Sequence, residues 1–504
     1  MFNFDFINEN HLKVFLPEIY LASISLILLI VGVIFSNLRF YKYSFFVKEM
    51  GFLAILSLFF TLILIINNPF INVLIFNNLF ISDYFTSFIK CFTIISIIGC
   101  LIISMDCVNK INIFEYFILI LFAIFGLLCF ISSFDLISMY ISLEVQSLAF
   151  YILASLKKKS AFSTEAGLKY FILGAFSSGI LLLGISFIYG VVGTTNFENL
   201  GKFFIGFDFL NSSFDIFNIN NRIIIGIICI FCGILFKLTA APFHMWAPDV
   251  YEGSPLYVTI IFSVVPKIGL FGVATKIFYF ALYEGLFFWQ SVALFCSLFS
   301  IFVGTLKALQ QNKIKRFLAY SSISHVGFLL LGFATGTFIG LQCLFFYLVI
   351  YTITILNIWA IFISLEINNK RYRHLRYIND LQGLVKTDPL LAYTLAINMF
   401  SMAGVPPLAG FFAKFFVLFS GLESSYNFLV IFSILLSVVS AFYYIRFIKI
   451  IFFDAEKIGL IHVNRIGYMH SLVLGSTLFF ITFFFIYPNG LYLLTQYIIL
   501  NFFC

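Results

Sequence analysis

The sequence predicts an all-α polytopic membrane protein of about fourteen transmembrane helices, with two inverted five-helix repeats and two broken helices. Three observations predict it. Of 504 residues, 62% are hydrophobic and 10% charged, against roughly 45–50% and 25% in soluble domains. No globular core hides that much apolar surface, so a bilayer must solvate most of the chain. Fourteen apolar segments reach the ~20 residues that a bilayer requires, and the basic residues fall in alternate loops.

The expected spans are 14–36, 47–66, 83–104, 112–131, 133–154, 166–192, 222–247, 257–282, 286–306, 314–334, 338–365, 391–419, 426–453 and 467–487. The apolar runs at 69–81 and 490–503 are too short to span and are expected at the interface. No polar stretch is long enough to fold alone. The chain therefore reads as one membrane domain in four parts: an N-terminal three-helix segment (1–111), a first five-helix repeat (112–282), a second (283–453), and a C-terminal helix with an interfacial tail (454–504).

Loop charges support the count. Arg39, Lys42 and Lys48 follow span 1, Lys110 follows span 3, and Lys157, Lys158 and Lys159 follow span 5. Lys307, Lys313, Lys315 and Arg316 follow span 9, and Lys370, Arg371, Arg373, Arg376 and Lys386 follow span 11. Arg446, Lys449, Lys457 and Arg465 surround the end of span 13. The opposite side holds Lys13, Lys202 and Arg222. The positive-inside rule then places both termini on the outer, positive side. Only the acidic turn Asp249–Glu252 lacks basic support on the inside. The net charge of +7 thus follows membrane topology and is no sign of nucleic-acid binding.

The other chemistry-bearing signatures are missing. There is no strand followed by GxGxxG, no P-loop and no nucleophile triad. The nine cysteines are scattered, and the Cys229-x-x-Cys232 pair lies inside a span, where packing is the expected role. No metal site and no cofactor site is expected in this chain. Met1–His11 lacks the Arg- and Ser-rich look of a transit peptide, so an organellar version is expected to be made inside the organelle.

Six lysines remain, all at or within spans. Lys90, Lys169 and Lys276 sit within two turns of a helix end, where snorkelling explains a lysine. Lys237, Lys267 and Lys414 are deeper, and Glu144 lies mid-span. A charge at the bilayer centre costs about 2.5–3.5 kcal/mol, so four unpaired charges cost on the order of 10 kcal/mol. Structural ion pairs would balance, but three lysines face one acid. Lysines in excess in a dry interior must shed protons or reach water. Burial opposes the charged ammonium and a nearby carboxylate restores it, so such a group is loaded and emptied by moving its partner.

Prolines accompany these lysines. Pro242 deprives the Leu238 carbonyl of its helical donor, Pro266 adjoins Lys267, and Pro406 and Pro407 precede Lys414. All are expected to break their helices, as membrane-depth breaks do where they line a polar cavity. Ser321, Ser322, Ser324 and His325 add polar groups to span 10; His325 is a candidate relay residue, and Lys169 a second. Spans 4–8 and 9–13 form two sets of five. An odd number inverts the second set, so Lys237 would correspond to Lys414 in opposed half-channels.

Five segments carry a resemblance: YISLEVQSLAFY at 140–151, STEAGLKYFILGA at 163–175, FKLTAAPFHMWAPDVYEGSP at 236–255, KIKRFLAYSSISHVG at 313–327 and AGVPPLAGFFAKF at 403–415. Together they resemble the antiporter-like subunits of respiratory complex I, and most specifically the family of NADH–quinone oxidoreductase subunit N, also called NADH dehydrogenase subunit 2. The resemblance implies that Glu144 and Lys237 form a coupled pair, that Lys267 is the central relay, and that Lys414 is the terminal proton carrier. It implies a proton-translocating NADH:ubiquinone reductase subunit, whose NADH, FMN, iron–sulfur clusters and ubiquinone belong to partner subunits. The implied partners are the other membrane-arm subunits, including the sister antiporter-like subunits, and membrane lipids. The mitochondrial inner membrane is favoured over a bacterial plasma membrane. A subunit of a multi-subunit cation/proton antiporter, a purely architectural spacer, and a lone secondary transporter remain as alternatives.

Overall fold

The computed structural model describes residues 10–37, 43–70, 72–111, 113–206, 214–367, 373–454, 461–463 and 467–503. Of the loop charges counted above, Arg39, Lys42, Lys370, Arg371, Lys457 and Arg465 lie outside the described residues. The long apolar runs fold as helices because a bilayer offers backbone amides no partner except their own helix. In order they are α1 (Leu16–Asn37), α2 (Tyr43–Ile66), α3 (Tyr84–Ile111), α4 (Glu115–Ser132), α5 (Leu136–Ala154), α6 (Ala161–Val192) and α7 (Phe214–Lys237). Then follow α8 (Leu256–Thr275), α9 (Leu286–Leu309), α10 (Ile314–Ala334), α11 (Phe338–Ser364), α12 (Pro389–Ala403), α13 (Asn427–Phe452) and α14 (Tyr468–Phe483).

Among the described residues, thirteen helices are long and apolar enough to cross a membrane. The difference from the fourteen expected spans lies at 391–419. That segment is two 15-residue helices, α12 and its continuation Ala409–Glu423, separated by a turn. α7 likewise stops at Lys237 and resumes as the short helix Trp246–Gly253.

Pro266 corrects an expectation: α8 runs unbroken through it. The proline leaves the Phe262 carbonyl without its usual donor, and the Tyr251 hydroxyl supplies one at 3.1 Å. The orphan is satisfied from the neighbouring short helix, so the helix does not open. α8 changes pitch further on, as a π-helical stretch from Lys276 to Ala281.

At the run 69–81, residues 73–82 form a β-hairpin, with β1 (Val73–Ile75) antiparallel to β2 (Phe80–Ser82). Asn77 and Asn78 turn it with positive φ, which asparagine tolerates. A second small sheet, of order β4-β3-β5, joins β3 (Leu365–Ile367), β4 (Arg373–His374) and β5 (Ile461–Val463). The run at 490–503 lies within the helix Asn489–Phe503, which packs on α11 and α3.

α8, α10 and α11 form the interior and are buried along nearly their whole length, whereas α1 and α14 are mostly exposed and form outer walls. The acidic turn at Asp249–Glu252 is neutralised across the fold. Arg316 reaches Asp249 at 2.8 Å, and Lys313 and Arg316 both pair with Glu252. This turn therefore shares a face with the basic α9–α10 loop, as the alternation of spans requires.

Candidate functional site

The first half of the site is built on one stripe of α5. Glu144, Ser147 and Tyr151 recur at the i, i+3, i+7 spacing that aligns side chains on a helix face. Ser147 donates to Glu144 Oε2 at 3.2 Å, and Tyr151 follows one turn further along the same face. Lys237, the last residue of α7, donates to the Tyr151 hydroxyl at 3.0 Å. Glu144 and Lys237 are not in ion-pair contact; Ser147 and Tyr151 lie between them. The other carboxylate oxygen of Glu144, Oε1, is buried with no hydrogen-bond partner, which is costly for an ionised group.

The break beyond Lys237 is turned by Thr239 at φ 64. A β-branched residue there is a genuine outlier, and the Thr239 hydroxyl is buried without a partner. The indole of Trp246 donates to the Phe236 carbonyl at 3.0 Å and ties the continuation back to α7. Beside Tyr151, Tyr170 meets it edge-on with centroids 4.7 Å apart, stacks on Trp246 at 4.5 Å and lies 5.7 Å from Phe262, on the helix of Lys267.

Lys267 is 2% exposed. Its ammonium donates to the Tyr351 hydroxyl at 2.7 Å and lies 4.8 Å above that ring's centroid. Tyr351 and Tyr347 are one turn apart on α11. His325 of α10 meets the Tyr347 hydroxyl through Nδ1 at 2.6 Å and the Tyr444 hydroxyl through Nε2 at 3.1 Å; its ring lies 5.5 Å from that of Tyr351. His325 is thus brought into the same polar system as Lys267. A cavity with about 10 Å³ of room, lined by His325, Tyr351, Ser401 and Lys414, lies beyond it. That is the space of roughly one water.

Lys414, in the continuation of α12, donates to the Ala403 carbonyl at 2.8 Å. Pro407 would otherwise leave that carbonyl unserved, so the ammonium replaces the missing amide proton. Gly404 turns the break at φ 89, a conformation natural to glycine. Gly410 lets the two halves meet, since a Cβ there would lie 1.8 Å from the Ser401 carbonyl oxygen.

Lys169 is not brought to this system. Its half-exposed side chain pairs with Glu165 at 2.7 Å and Asp249 at 3.0 Å. Snorkelling is the wrong expectation for Lys90 and Lys276, which are 7% and 2% exposed, because neighbouring helices cover the route to the surface. Tyr151, Tyr351, Tyr347 and Tyr444 were missed. The stripe Glu144-Ser147-Tyr151 was readable, but in a chain with 20% aromatic residues a tyrosine carries little signal. Among the described residues, no group of three or more His, Cys, Asp or Glu could hold a metal ion.

A family profile described as NADH:quinone oxidoreductase/Mrp antiporter, transmembrane, matches residues 133–440. The chain is 46% identical over 492 residues to NADH-ubiquinone oxidoreductase chain 2 of Marchantia polymorpha, covering 97% of this chain and 98% of that one. It is 40% identical over 487 residues to NADH-quinone oxidoreductase subunit N of Pelagibacter ubique, covering 96% and 98%. In three dimensions it is similar to a chain of respiratory complex I from Thermus thermophilus with bound aureothin, with a TM-score of 0.75 at 25% identity, covering 94% and 98%.

Proposed function

The chain belongs to the NADH:quinone oxidoreductase/Mrp antiporter transmembrane family, and on that premise we propose that it is a proton-carrying membrane-arm subunit of an NADH:ubiquinone oxidoreductase, complex I. One observation carries the reading. The three deep lysines bond to neutral acceptors: Tyr151, Tyr351 and the Ala403 carbonyl. None of them, and not Glu144, joins an ion pair among the described residues. Packing charges would pair; carriers that must lose and regain a proton would not.

Glu144 acts on Lys237 through Ser147 and Tyr151, holding its proton while the carboxylate is charged. When that influence is withdrawn, by motion or by protonation, the proton moves on toward Lys267. From there Tyr351, His325 and the one-water cavity lead to Lys414. Each elementary charge moved through the full field costs about 2.3 kcal/mol per 100 mV, so the relay is driven from outside this chain. The drive is quinone reduction in partner subunits, which carry the NADH, FMN, iron–sulfur and ubiquinone sites. The sets α4–α8 and α9–α13 serve as opposed half-channels. Both termini face the positive side, and the mitochondrial inner membrane is the favoured location, since the Marchantia chain exceeds the Pelagibacter chain in identity.

The test is Lys414→Ala in complex assembled around this chain. A carrier requires NADH-driven proton pumping into sealed vesicles to fall severely. An architectural spacer would leave the protons moved per NADH unchanged, and that result would end the proposal.

A further inference from the structure

Outside the relay, a second buried cluster of ionisable side chains joins α1, α3, α4 and α8. Glu18 is 0% exposed. One of its oxygens accepts from Lys90 at 2.5 Å, and the other is buried with no hydrogen-bond partner. Lys276, 2% exposed, donates to the Ile131 carbonyl at 2.7 Å and joins no ion pair among the described residues. It sits where α8 packs on α3: a Cβ on Gly272, one turn earlier, would lie 2.5 Å from the Ile89 side chain, next to Lys90. A charge there is repelled by Lys90 and attracted by Asp83 on the same helix end. Asp83 is half-buried and caps α3, accepting from the Thr86 amide at 2.7 Å.

Glu18 lies in the first turn of α1 and Lys90 in the second turn of α3; Ile131 and Lys276 lie at the ends of α4 and α8. The alternation of spans puts all four on one membrane face, opposite the basic loops. Lys276 is on the same helix as Lys267, nine residues on, or roughly 13 Å along the axis. The π-helical stretch begins at Lys276, and such stretches recur at functional sites.

We propose that Lys276, biased by the Glu18–Lys90 pair and by Asp83, is a proton-release station on the face opposite the basic loops. This rests on the relay proposed above and extends it to an outlet. A helix pin accounts for Glu18 with Lys90, but not for a second buried ammonium that joins no ion pair among the described residues. Glu18 keeps Lys90 charged, and Lys90 repels the charge on a loaded Lys276. Release breaks one N–H bond of the Lys276 ammonium. The proton passes to water at Asp83, the half-exposed group of the cluster, and Lys276 is left neutral to be reloaded.

The experiment is Lys276→Arg in complex reconstituted into sealed vesicles, with protons per NADH measured for the assembled fraction seen on native gels. Arginine keeps the charge and the donor to Ile131, but it does not give up its proton, so the ratio should fall by roughly twofold or more. A wild-type ratio in Lys276→Arg would overturn the proposal. The neutral double variant Glu18→Gln with Lys90→Met separates a pin from a bias. We expect its ratio to stay low although the complex assembles, and a wild-type ratio there would remove Lys90 from the mechanism. Lys237→Ala measured alongside keeps the two proposals distinct. If it alone loses pumping, the outlet is wrong and the relay stands; if neither variant loses pumping, both are wrong.

Discussion

The two broken helices solve one problem in different ways. At the α12 break the turn and the orphaned carbonyl are both provided for. Gly404 supplies the left-handed turn, Gly410 lets the halves touch, and the Lys414 ammonium fills the carbonyl that Pro407 orphans. At the α7 break much is left open. Thr239 makes the turn at φ 64 with an unpartnered hydroxyl, Lys237 holds the Tyr151 hydroxyl, and on the same face of α5 one oxygen of Glu144 is also unpartnered. Strain and unmet hydrogen bonds gather where a structure is poised to change. Under the proposed relay, the contrast makes the α7 break the part that responds to Glu144, and the α12 break the fixed station that receives.

Four substitutions press on this contrast. Gly410→Ala should have the largest effect, because its Cβ would overlap the Ser401 carbonyl oxygen. A cost above about 3 kcal/mol is expected, seen as loss of assembled complex on native gels; normal assembly would mean that the α12 break is not rigid. Tyr151→Phe removes the link between Glu144 and Lys237. A hydrogen bond to a charged group contributes about 1.5–3 kcal/mol, so pumping should fall roughly tenfold or more at unchanged assembly, and equal pumping would cut Tyr151 out of the relay. Tyr251→Phe leaves the Phe262 carbonyl orphaned beside Pro266, at a cost of about 1–3 kcal/mol. It should lower the thermal midpoint of the complex more than it lowers pumping; the reverse order would show that α8 tolerates the orphan. Thr239→Gly should have the smallest effect, raising the midpoint by the equivalent of about 1 kcal/mol as strain is relieved while slowing coupled turnover. A neutral or lower midpoint would mean that Thr239 is not strained.

Much of this was legible in the sequence, and the parts that were not share a cause. The helices were readable because ~20 apolar residues have one outcome in a bilayer. The breaks of α7 and α12 sit at the prolines that mark them. Pro266 looked the same in the sequence, yet its carbonyl finds Tyr251, a partner that only the packing of the short helix creates. Lys90 and Lys276 illustrate the same gap. Distance from a helix end says how far a lysine must reach, but not whether a neighbouring helix stands in the way. Glu144 and Lys237 stand out in the sequence as charges in an apolar run, while Ser147 and Tyr151, which contact them, are lost among many of their kind.

The relay is tested most directly by Glu144 and Lys237 together, in complex reconstituted into sealed vesicles with protons counted per NADH oxidised. Glu144→Gln and Lys237→Ala should each depress that ratio strongly, while NADH oxidation by a hydrophilic acceptor in the partner subunits continues. Glu144→Asp should retain more pumping than Glu144→Gln because it keeps the charge. Wild-type ratios for both Glu144→Gln and Lys237→Ala in fully assembled complex would contradict proton carriage by this chain.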